Sequence, residues 1–304
     1  MARLVTVTTI VNRGLIRNRM TINETSIATD RQKTYMSNIL KQILADKRIE
    51  IEQQKKTVSI EQLKEQIKNL PKCRNFHKAV TKSNPRGINI IAEVKKASPS
   101  AGLIRKDFNP VAIAKIYEAC GADAISVLTD EKYFQGRLEY LTQIKKAVSL
   151  PVLRKDFIID EYQVYQARAA GADAILLIAE AFEPTDGKIL DLMILAAELT
   201  LSILLEVHSA ETLLRARSLI GFPMAHYRVI GINNRDLETM KVDLNTTIRL
   251  AELAGETGGL VAESGIKTRQ DVEKIQKAGA TAVLVGEILC KSPDIRGKFE
   301  ELFG

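Results

Sequence analysis

Two side chains of opposite charge stand where an apolar run of the sequence ends. The run from Ile88 to Ala92 leads into Glu93, Val94 and Lys95, and the chain then breaks into a loop rich in serine, proline and glycine. Because successive side chains of a strand point to opposite faces, Glu93 and Lys95 would share one face. A carboxylate and an ammonium group held together can exchange protons with a bound substrate. Taken alone, the pair is more typical of a surface salt bridge, which contributes little to stability.

The same pattern recurs at the ends of later apolar runs. These positions carry Thr129 and Asp130, Lys155 and Asp156, Glu180, Glu206 and His208, Asn233 and Arg235, Glu263 and Ser264, and Gly286 and Glu287. One such residue would be uninformative, whereas acid–base pairs at the ends of most strands indicate an enzyme.

The elements that would position these residues alternate along the chain. Apolar runs predict strands at 88–94, 124–128, 152–154, 174–179, 202–207, 228–232, 259–262 and 282–285. Helical patterns lie near 110–120, 138–148, 161–170, 187–200, 209–219, 246–254, 268–278 and 292–302. Eight repeats of strand and helix predict an α/β fold of the (β/α)₈ TIM-barrel type. A doubly wound open sheet is the alternative, but it would not usually need eight units.

A barrel of this kind assembles its active site at the carboxyl ends of its strands. Gly265 and Gly286, in the loops after strands seven and eight, would present backbone N–H groups to a phosphate. A tight turn would also require glycine, so the signal is moderately specific. The loop from Ser98 to Gly102 could close over the same anion. The sequence lacks nucleotide-binding motifs, and its cysteines are odd in number and scattered, which argues against a nucleotide cofactor and a structural zinc site.

The amino-terminal region differs from the rest of the chain. Residues 1–36 are rich in Thr, Arg and Asn and hold six basic residues against two acidic ones, more than half of the net charge of +7. We expect a disordered basic tail, with an organelle transit peptide as the alternative. Residues 37–304 would form one barrel domain that includes an amino-terminal helical extension at 37–80. Ser37 and Ser59 resemble the caps of two amphipathic helices in that extension.

Six stretches of the chain carry a family resemblance. AEVKKASPSAG at 92–102, VLTDEKYFQG at 127–136, RKDFIID at 154–160, LLEVH at 204–208, GINNRDLETM at 231–240 and AESGI at 262–266 resemble indole-3-glycerol-phosphate synthase. The resemblance implies a barrel with extra amino-terminal helices that acts in tryptophan biosynthesis. It implies closure of 1-(2-carboxyphenylamino)-1-deoxyribulose 5-phosphate to indole-3-glycerol phosphate with loss of carbon dioxide and water. It implies no metal and no organic cofactor.

The resemblance also assigns catalytic roles to residues of this chain. Lys155 resembles the general acid, Lys95 the lysine that holds the anthranilate carboxylate, and Glu206 the carboxylate of a second acid–base step. The groups that orient the substrate and the lysines would be Glu93, Asn233 and Glu263. These assignments have structural alternatives. Lys155 could be a packing residue paired with Glu206, and Glu93 and Glu263 could merely neutralise lysines.

Binding residues follow from the same resemblance. Ser98, Gly265 and Gly286 would hold the phosphate with Ser264 nearby, while Phe134 and Leu237 would line the pocket for the anthranilate ring. Phe134 could equally be a loop-packing residue. Supporting rather than catalytic roles are expected for Asp156, His208, Arg235 and Asp236. No role in phosphate binding is assigned to the side chain of Glu287.

The expected partner is a phosphorylated small molecule, with neither nucleic acid nor membrane. Longer apolar stretches of the chain are interrupted by acidic residues, and the basic tail lacks interleaved aromatic side chains. The resemblance allows transient association with other tryptophan-pathway enzymes. The odd, scattered cysteines indicate a reducing compartment, so a cytoplasmic location is expected, with the plastid as the alternative if residues 1–36 are a transit peptide. The rival functions are a phosphoribosylanthranilate isomerase and a barrel that has lost catalysis. The glutamate and lysine that end the first strand argue against the isomerase, and the intact lysines and Glu206 argue against the inactive barrel.

Overall fold

Parallel strands close into a barrel with one apolar cluster inside it and a larger one between the strands and the helices. The structure, a computed structural model, describes residues 24–182, 187–219, 227–236, 239–255 and 258–304, with side chains from residue 39 onward. Within these residues the barrel strands are β1 Asn89–Val94, β2 Ala124–Leu128, β3 Val152–Lys155, β4 Ala174–Ile178, β5 Ser202–Val207, β6 Arg228–Asn233, β7 Leu260–Glu263 and β8 Ala282–Val285. Neighbours in sequence pair with each other, and β1 pairs with β8. The predicted (β/α)₈ barrel is confirmed, and the open-sheet alternative is wrong.

One helix of the outer ring follows each strand. These helices are α1 Pro110–Ala119, α2 Leu138–Ala147, α3 Glu161–Ala169, α4 Gly187–Glu198, α5 Ala210–Leu219, α6 Asn245–Ala254, α7 Arg269–Lys277 and α8 Ile295–Phe303. Side-chain caps fix several of their starts. Asn109 accepts from the Ala112 N–H in front of α1, and Asp160 and Thr268 form capping boxes at α3 and α7. The predicted bounds of the strands and helices agree with the structure to within a few residues.

The barrel interior is apolar below its carboxyl-terminal mouth. Ile91, Leu153 and Leu204 belong to an interior cluster that also contains Phe76 and Val80. The last two residues lie on a short helix, Phe76–Thr81, that the sequence did not predict. This helix contacts β1, β2 and β5 and covers the amino-terminal end of the barrel.

A long helix, Glu24–Thr57, precedes the barrel and is called the cover helix here. It begins at Glu24, so the predicted start at Ser37 is wrong, and residues 24–36, which the sequence placed in the tail, are helical. Neither glycine nor proline interrupts the chain from Glu24 to Thr57, so no helix breaker marks a boundary at Ser37. The second predicted helix, Ile60–Ile67, has the expected capping box at Ser59. Residues 1–23 lie outside the described residues, and the division into tail and barrel stays a prediction.

The loops at the mouth contain short elements that the sequence does not predict. Ala97–Ser98 and Gly102–Leu103 form a small hairpin after β1. Glu131–Phe134 and Glu287–Lys291 are short helices after β2 and β8. A 3₁₀ turn, Ala179–Phe182, follows β4. Elements this short show no periodicity that a sequence pattern can detect.

Candidate active site

Strand alternation places five polar side chains in one inward-facing layer at the mouth. Each stands two residues after an inward-facing position: Glu93 after Ile91, Lys155 after Leu153, Glu206 after Leu204, Asn233 after Gly231 and Glu263 after Val261. A Cβ atom on Gly231 would lie 2.3 Å from Glu263 Oε1, so glycine makes room here for the carboxyl group. The layer is almost entirely buried and lies at the carboxyl ends of the strands.

Lys155 lies between two carboxyl groups. Its Nζ atom is 3.1 Å from Glu206 Oε2 and 3.3 Å from Glu263 Oε2. Burial alone would favour the neutral amine, but the charges of Glu206, Glu263 and Glu93 outweigh it and hold the pKa of Lys155 above its usual range. Lys155 is therefore an ammonium group at neutral pH and can donate a proton.

The pKa values of the two carboxyl groups beside Lys155 are shifted in opposite directions. Burial and the negative charge of Glu206 raise the pKa of Glu263 to about 8. For Glu206, burial is outweighed by Lys155 and by hydrogen bonds from His208 and Asn233, which hold its pKa below the usual range. At neutral pH the site thus holds a carboxylate, a carboxylic acid and an ammonium group in contact, an arrangement typical of acid–base catalysis.

His208 supports Glu206 from the side opposite Lys155. Its Nε2 atom is 3.1 Å from Glu206 Oε1, and its Nδ1 atom is 3.1 Å from Glu180 Oε2. Burial opposes the charged ring, but the hydrogen bonds and charges of the two glutamates raise the pKa of His208 to about 10. Asn233 Nδ2 donates to Glu206 Oε1 at 3.0 Å. The supporting role of His208 stays a prediction, and Glu180, given no role by the sequence, is its second partner.

Lys95 occupies the other side of the mouth. Its Nζ atom is 2.5 Å from Glu93 Oε1, as expected if the two side chains share a face. Glu93 Oε2 accepts from the Ser126 hydroxyl at 3.4 Å. Lys95 is partly exposed, so its ammonium group is available to an incoming carboxylate.

The loops after β7 and β8 enclose a small cavity of about 60 Å³. Ser264 and Gly265 have φ angles of 66° and 87°, a left-handed turn that a β-branched residue would adopt only with strain. Gly286, Glu287 and Lys95 line the same space. A Cβ atom on Gly286 would lie 2.7 Å from Glu93 Oε1, so the glycine also accommodates the Glu93 side chain. Ser98 lines a neighbouring cavity, called the main cavity here because it contains the charged layer. Its hydroxyl accepts a hydrogen bond from Ala101 N within its own loop.

The main cavity, of about 140 Å³, lies between the charged layer and an apolar wall formed mainly by Ile43, Phe134 and Phe157. Lys95, Lys155, Glu206, Asn233 and Glu263 line it together with Phe134, Arg235 and Glu287. The structure therefore brings the predicted catalytic residues to one rim, and their individual roles stay predictions. Leu237 lies outside the described residues, so its predicted position in the pocket is untested. Asp236 is described but does not line the cavity.

Several lining residues were not identified from the sequence. Phe157 packs against Phe134 with ring centroids 6.2 Å apart, and both border the cavity. Phe157 lies in the RKDFIID stretch at 154–160, so the family resemblance could have indicated it as a site residue. Ile39, Leu40 and Ile43 reach the cavity from the cover helix. No sequence pattern relates that helix to the barrel mouth, so these residues could not have been assigned.

Comparisons with known proteins agree on one family. The family model described as indole-3-glycerol phosphate synthase matches residues 40–302. An indole-3-glycerol phosphate synthase of Prochlorococcus marinus (strain MIT 9215) is 44% identical over 281 residues, covering 91% of this chain and 92% of that protein. One from Rhodopirellula baltica is 47% identical over 257 residues, covering 84% and 95%.

Two solved structures share the fold of this chain at lower sequence identity. Thiamine phosphate pyrophosphorylase from Pyrococcus furiosus superposes with a TM-score of 0.52 at 18% identity, covering 72% of this chain and 96% of that one. A 3-hexulose-6-phosphate synthase superposes with a TM-score of 0.54 at 19% identity, covering 71% and 98%. Identities this low support the barrel fold alone. Among the described residues, no helix is both long enough and apolar enough to span a membrane.

Proposed function

The chain belongs to the indole-3-glycerol phosphate synthase family, and on that premise we propose how its site performs the carboxy-lyase reaction. The substrate is 1-(2-carboxyphenylamino)-1-deoxyribulose 5-phosphate, and the product is indole-3-glycerol phosphate, an intermediate of tryptophan biosynthesis. The observation that carries the proposal is the buried Lys155 ammonium group between Glu206 and Glu263, beside a glycine-lined cavity that suits a phosphate.

Substrate binding divides among three parts of the mouth. The phosphate lies in the small cavity and accepts hydrogen bonds from backbone N–H groups near Gly265 and Gly286, with Ser98 and Ser264 beside it. The anthranilate carboxylate pairs with Lys95, which is partly exposed at the cavity edge. The aromatic ring packs between Phe134, Phe157 and the apolar side chains of the cover helix.

The first chemical step forms the new carbon–carbon bond. The ring carbon that carries the carboxylate attacks the ketone carbon, and the ketone oxygen takes a proton from Lys155. Carbon dioxide then leaves, and the electron pair of its bond restores the aromatic ring. Lys155 suits the role because the carboxyl groups around it keep it charged until the oxygen becomes basic. Glu93, Asn233 and Glu263 orient the lysines and the substrate hydroxyls.

The second step removes water. The hydroxyl group on the former ketone carbon leaves as water after protonation. Glu206 takes a proton from the adjacent carbon that is bonded to nitrogen, and the electron pair of that C–H bond forms the carbon–carbon double bond of the indole. A low pKa keeps Glu206 ionised and ready to accept a proton. The Glu180–His208 pair holds the Glu206 carboxylate in place, so His208 acts through Glu206 rather than on the substrate.

The direct test is incubation of the protein with the carboxyphenylamino-deoxyribulose phosphate while indole fluorescence is recorded. The chain contains no tryptophan, so excitation at the indole band reports product almost free of protein background. A steady rise in fluorescence, absent from a Lys155→Met/Glu206→Gln double variant, is the expected result. No product from the folded wild-type protein would contradict the proposal.

A further inference from the structure

A buried lysine of the cover helix lies outside the chemistry described above. Lys47 is 1% exposed, and its Nζ atom is 2.8 Å from Asp130 Oδ2, 3.0 Å from Asp156 Oδ1 and 2.8 Å from Glu50 Oε2. Asp130 and Asp156 are as deeply buried as the lysine. A buried ammonium group is unfavourable unless it is paired, so this contact is a specific feature of the fold.

Each of the two aspartates is held by further groups of β3 and of the loops after β2 and β3. Asp130 Oδ1 accepts from Tyr133 N at 2.8 Å and so caps the short helix Glu131–Phe134. Asp156 accepts from Thr129, Arg154 and the Phe157 backbone N–H at 2.6, 3.0 and 2.8 Å. Lys47 therefore joins three segments that are distant in sequence: the cover helix, the loop after β2 and the loop after β3.

These three segments carry the apolar wall of the main cavity. Ile43 lies one helical turn before Lys47, Phe134 ends the helix that Asp130 caps, and Phe157 follows Asp156. Lys155, on the other side of Asp156, points into the barrel. A displacement of the cover helix would consequently change the wall and leave the glycine-lined phosphate cavity, which is built from β7 and β8, in place.

The charges of the four buried groups of the cluster balance, while Glu50, the third partner of Lys47, is partly exposed. Lys47 and Arg154 face Asp130 and Asp156, and all four side chains are almost completely buried. Loss of Lys47 alone leaves Asp130 without its buried cation, which is strongly unfavourable. Loss of Lys47 together with conversion of Asp130 to asparagine restores the balance and keeps a residue suited to helix capping.

We propose that Lys47 is a positioning residue, which fixes the apolar wall over the ring of the substrate by joining the cover helix to the loops after β2 and β3. This inference rests on the proposed function, because it assigns the wall to ring binding in that reaction. The proposed role affects binding of the ring end of the substrate, so kinetic measurements can distinguish it from a role in stability alone.

The test compares Lys47→Met and Lys47→Met/Asp130→Asn with wild type and with Lys41→Met, an exposed lysine on the same helix. Steady-state kinetics and inhibition by inorganic phosphate are measured well below the melting temperature of each variant. We expect kcat/KM of the double variant to fall by about 10- to 100-fold, mainly through KM, because small displacements of a binding wall have large effects. The inhibition constant of phosphate should stay at its wild-type value, and Lys41→Met should match wild type.

Recovery of the melting temperature without recovery of KM in the double variant would support positioning. Wild-type KM in a folded double variant, or equal weakening of substrate and phosphate, would show that Lys47 serves stability alone and overturn the inference. If Lys47→Met does not fold, the double variant decides by itself. Failure of the proposed function would appear separately, as absence of turnover in wild type.

Discussion

Burial determines which acids and bases the barrel mouth offers. Lys155, Glu206 and Glu263 are in contact, yet their pKa values move apart because each responds to a different balance of burial and charge. The same three residues on a protein surface would all keep ordinary pKa values. Their chemistry therefore depends on their position in the inward-facing layer rather than on residue type alone.

Replacement of Lys155 tests the proposed general acid. Lys155→Ala is expected to lower kcat by roughly 10²- to 10⁴-fold, the usual contribution of general acid–base catalysis. Lys146→Ala, an exposed lysine on α2, serves as the control and should be unaffected. The measurement is steady-state turnover, with circular dichroism to verify the fold. Turnover close to wild type in a folded Lys155→Ala protein would remove this residue from the mechanism.

Glu263 should make stability depend on pH. Folding raises its pKa from an ordinary 4.5 to about 8, so the folded protein keeps a proton that the unfolded chain releases. The resulting stabilisation is complete below pH 4.5 and is lost as the pH rises through about 8. Glu263→Gln should therefore flatten the decline in melting temperature between about pH 5 and pH 9.

The measurement compares the melting curves of the wild type and of Glu263→Gln at each pH. Glu211→Gln, at an exposed position on α5, should retain the wild-type dependence. An unchanged pH dependence in Glu263→Gln would mean that Glu263 is ionised in the folded protein throughout this range.

The cover helix supplies part of the site, although it belongs to no strand–helix repeat of the barrel. Ile39, Leu40 and Ile43 line the main cavity, and Ile39 is the first of the lining residues. Deletion of residues 1–36 is expected to leave kcat/KM within about twofold of wild type, since typical surface changes are near neutral. Deletion of residues 1–44, which removes the three lining residues, should lower kcat/KM by at least an order of magnitude, by analogy with other losses of binding-wall contacts.

The measurement is initial rate against substrate concentration for both truncated proteins. A shorter deletion as inactive as the longer one would show that residues 1–36 contribute to the site. Equal activity of both proteins with wild type would show that the cover helix does not bind the substrate.

The elements of the barrel were predictable because each follows from local sequence. Apolar runs of strand length, glycines at helix ends and side-chain caps such as Asn109 lie within a few residues of the boundary that they fix. Strand alternation then placed Glu93 with Lys95, and the parallel closure of the barrel brought the strand ends together at one rim. The start of the cover helix was not predictable, because the polar sequence before Ser37 shows no apolar period.

Contacts between distant segments account for the remaining differences. Lys47 resembles any charged residue of an amphipathic helix, and only the folded chain brings it to Asp130 and Asp156. Glu180 similarly becomes a partner of His208 only when β4 and β5 are adjacent. Residue types at strand ends indicated where the chemistry occurs, whereas the partners that tune and position those residues required the three-dimensional arrangement.

The complete molecule concentrates several ionisable groups in one buried volume, and their protonation is linked. Lys155 contacts Glu206 and Glu263, and Glu206 also contacts His208. The pH dependence of kcat/KM therefore belongs to the set, and individual limbs cannot be assigned to isolated residues. In the proposed mechanism, protonation of Glu206 at low pH removes the base. Loss of the Glu263 proton at high pH adds a second negative charge beside Lys155.

We consequently expect a bell-shaped profile of kcat/KM with an alkaline limb near pH 8, where Glu263 ionises. Ionisation of Glu263 raises the pKa of Lys155 further and makes the ammonium group a weaker acid, so the rate should fall. Glu263→Gln, which stays neutral, should move the alkaline limb to higher pH even if its maximum rate is lower. The profile is measured by indole fluorescence in buffers of constant ionic strength, because salt screens the exposed charges near the mouth. A flat profile across neutral pH, or an alkaline limb that Glu263→Gln leaves in place, would show that the proton on Glu263 does not support catalysis.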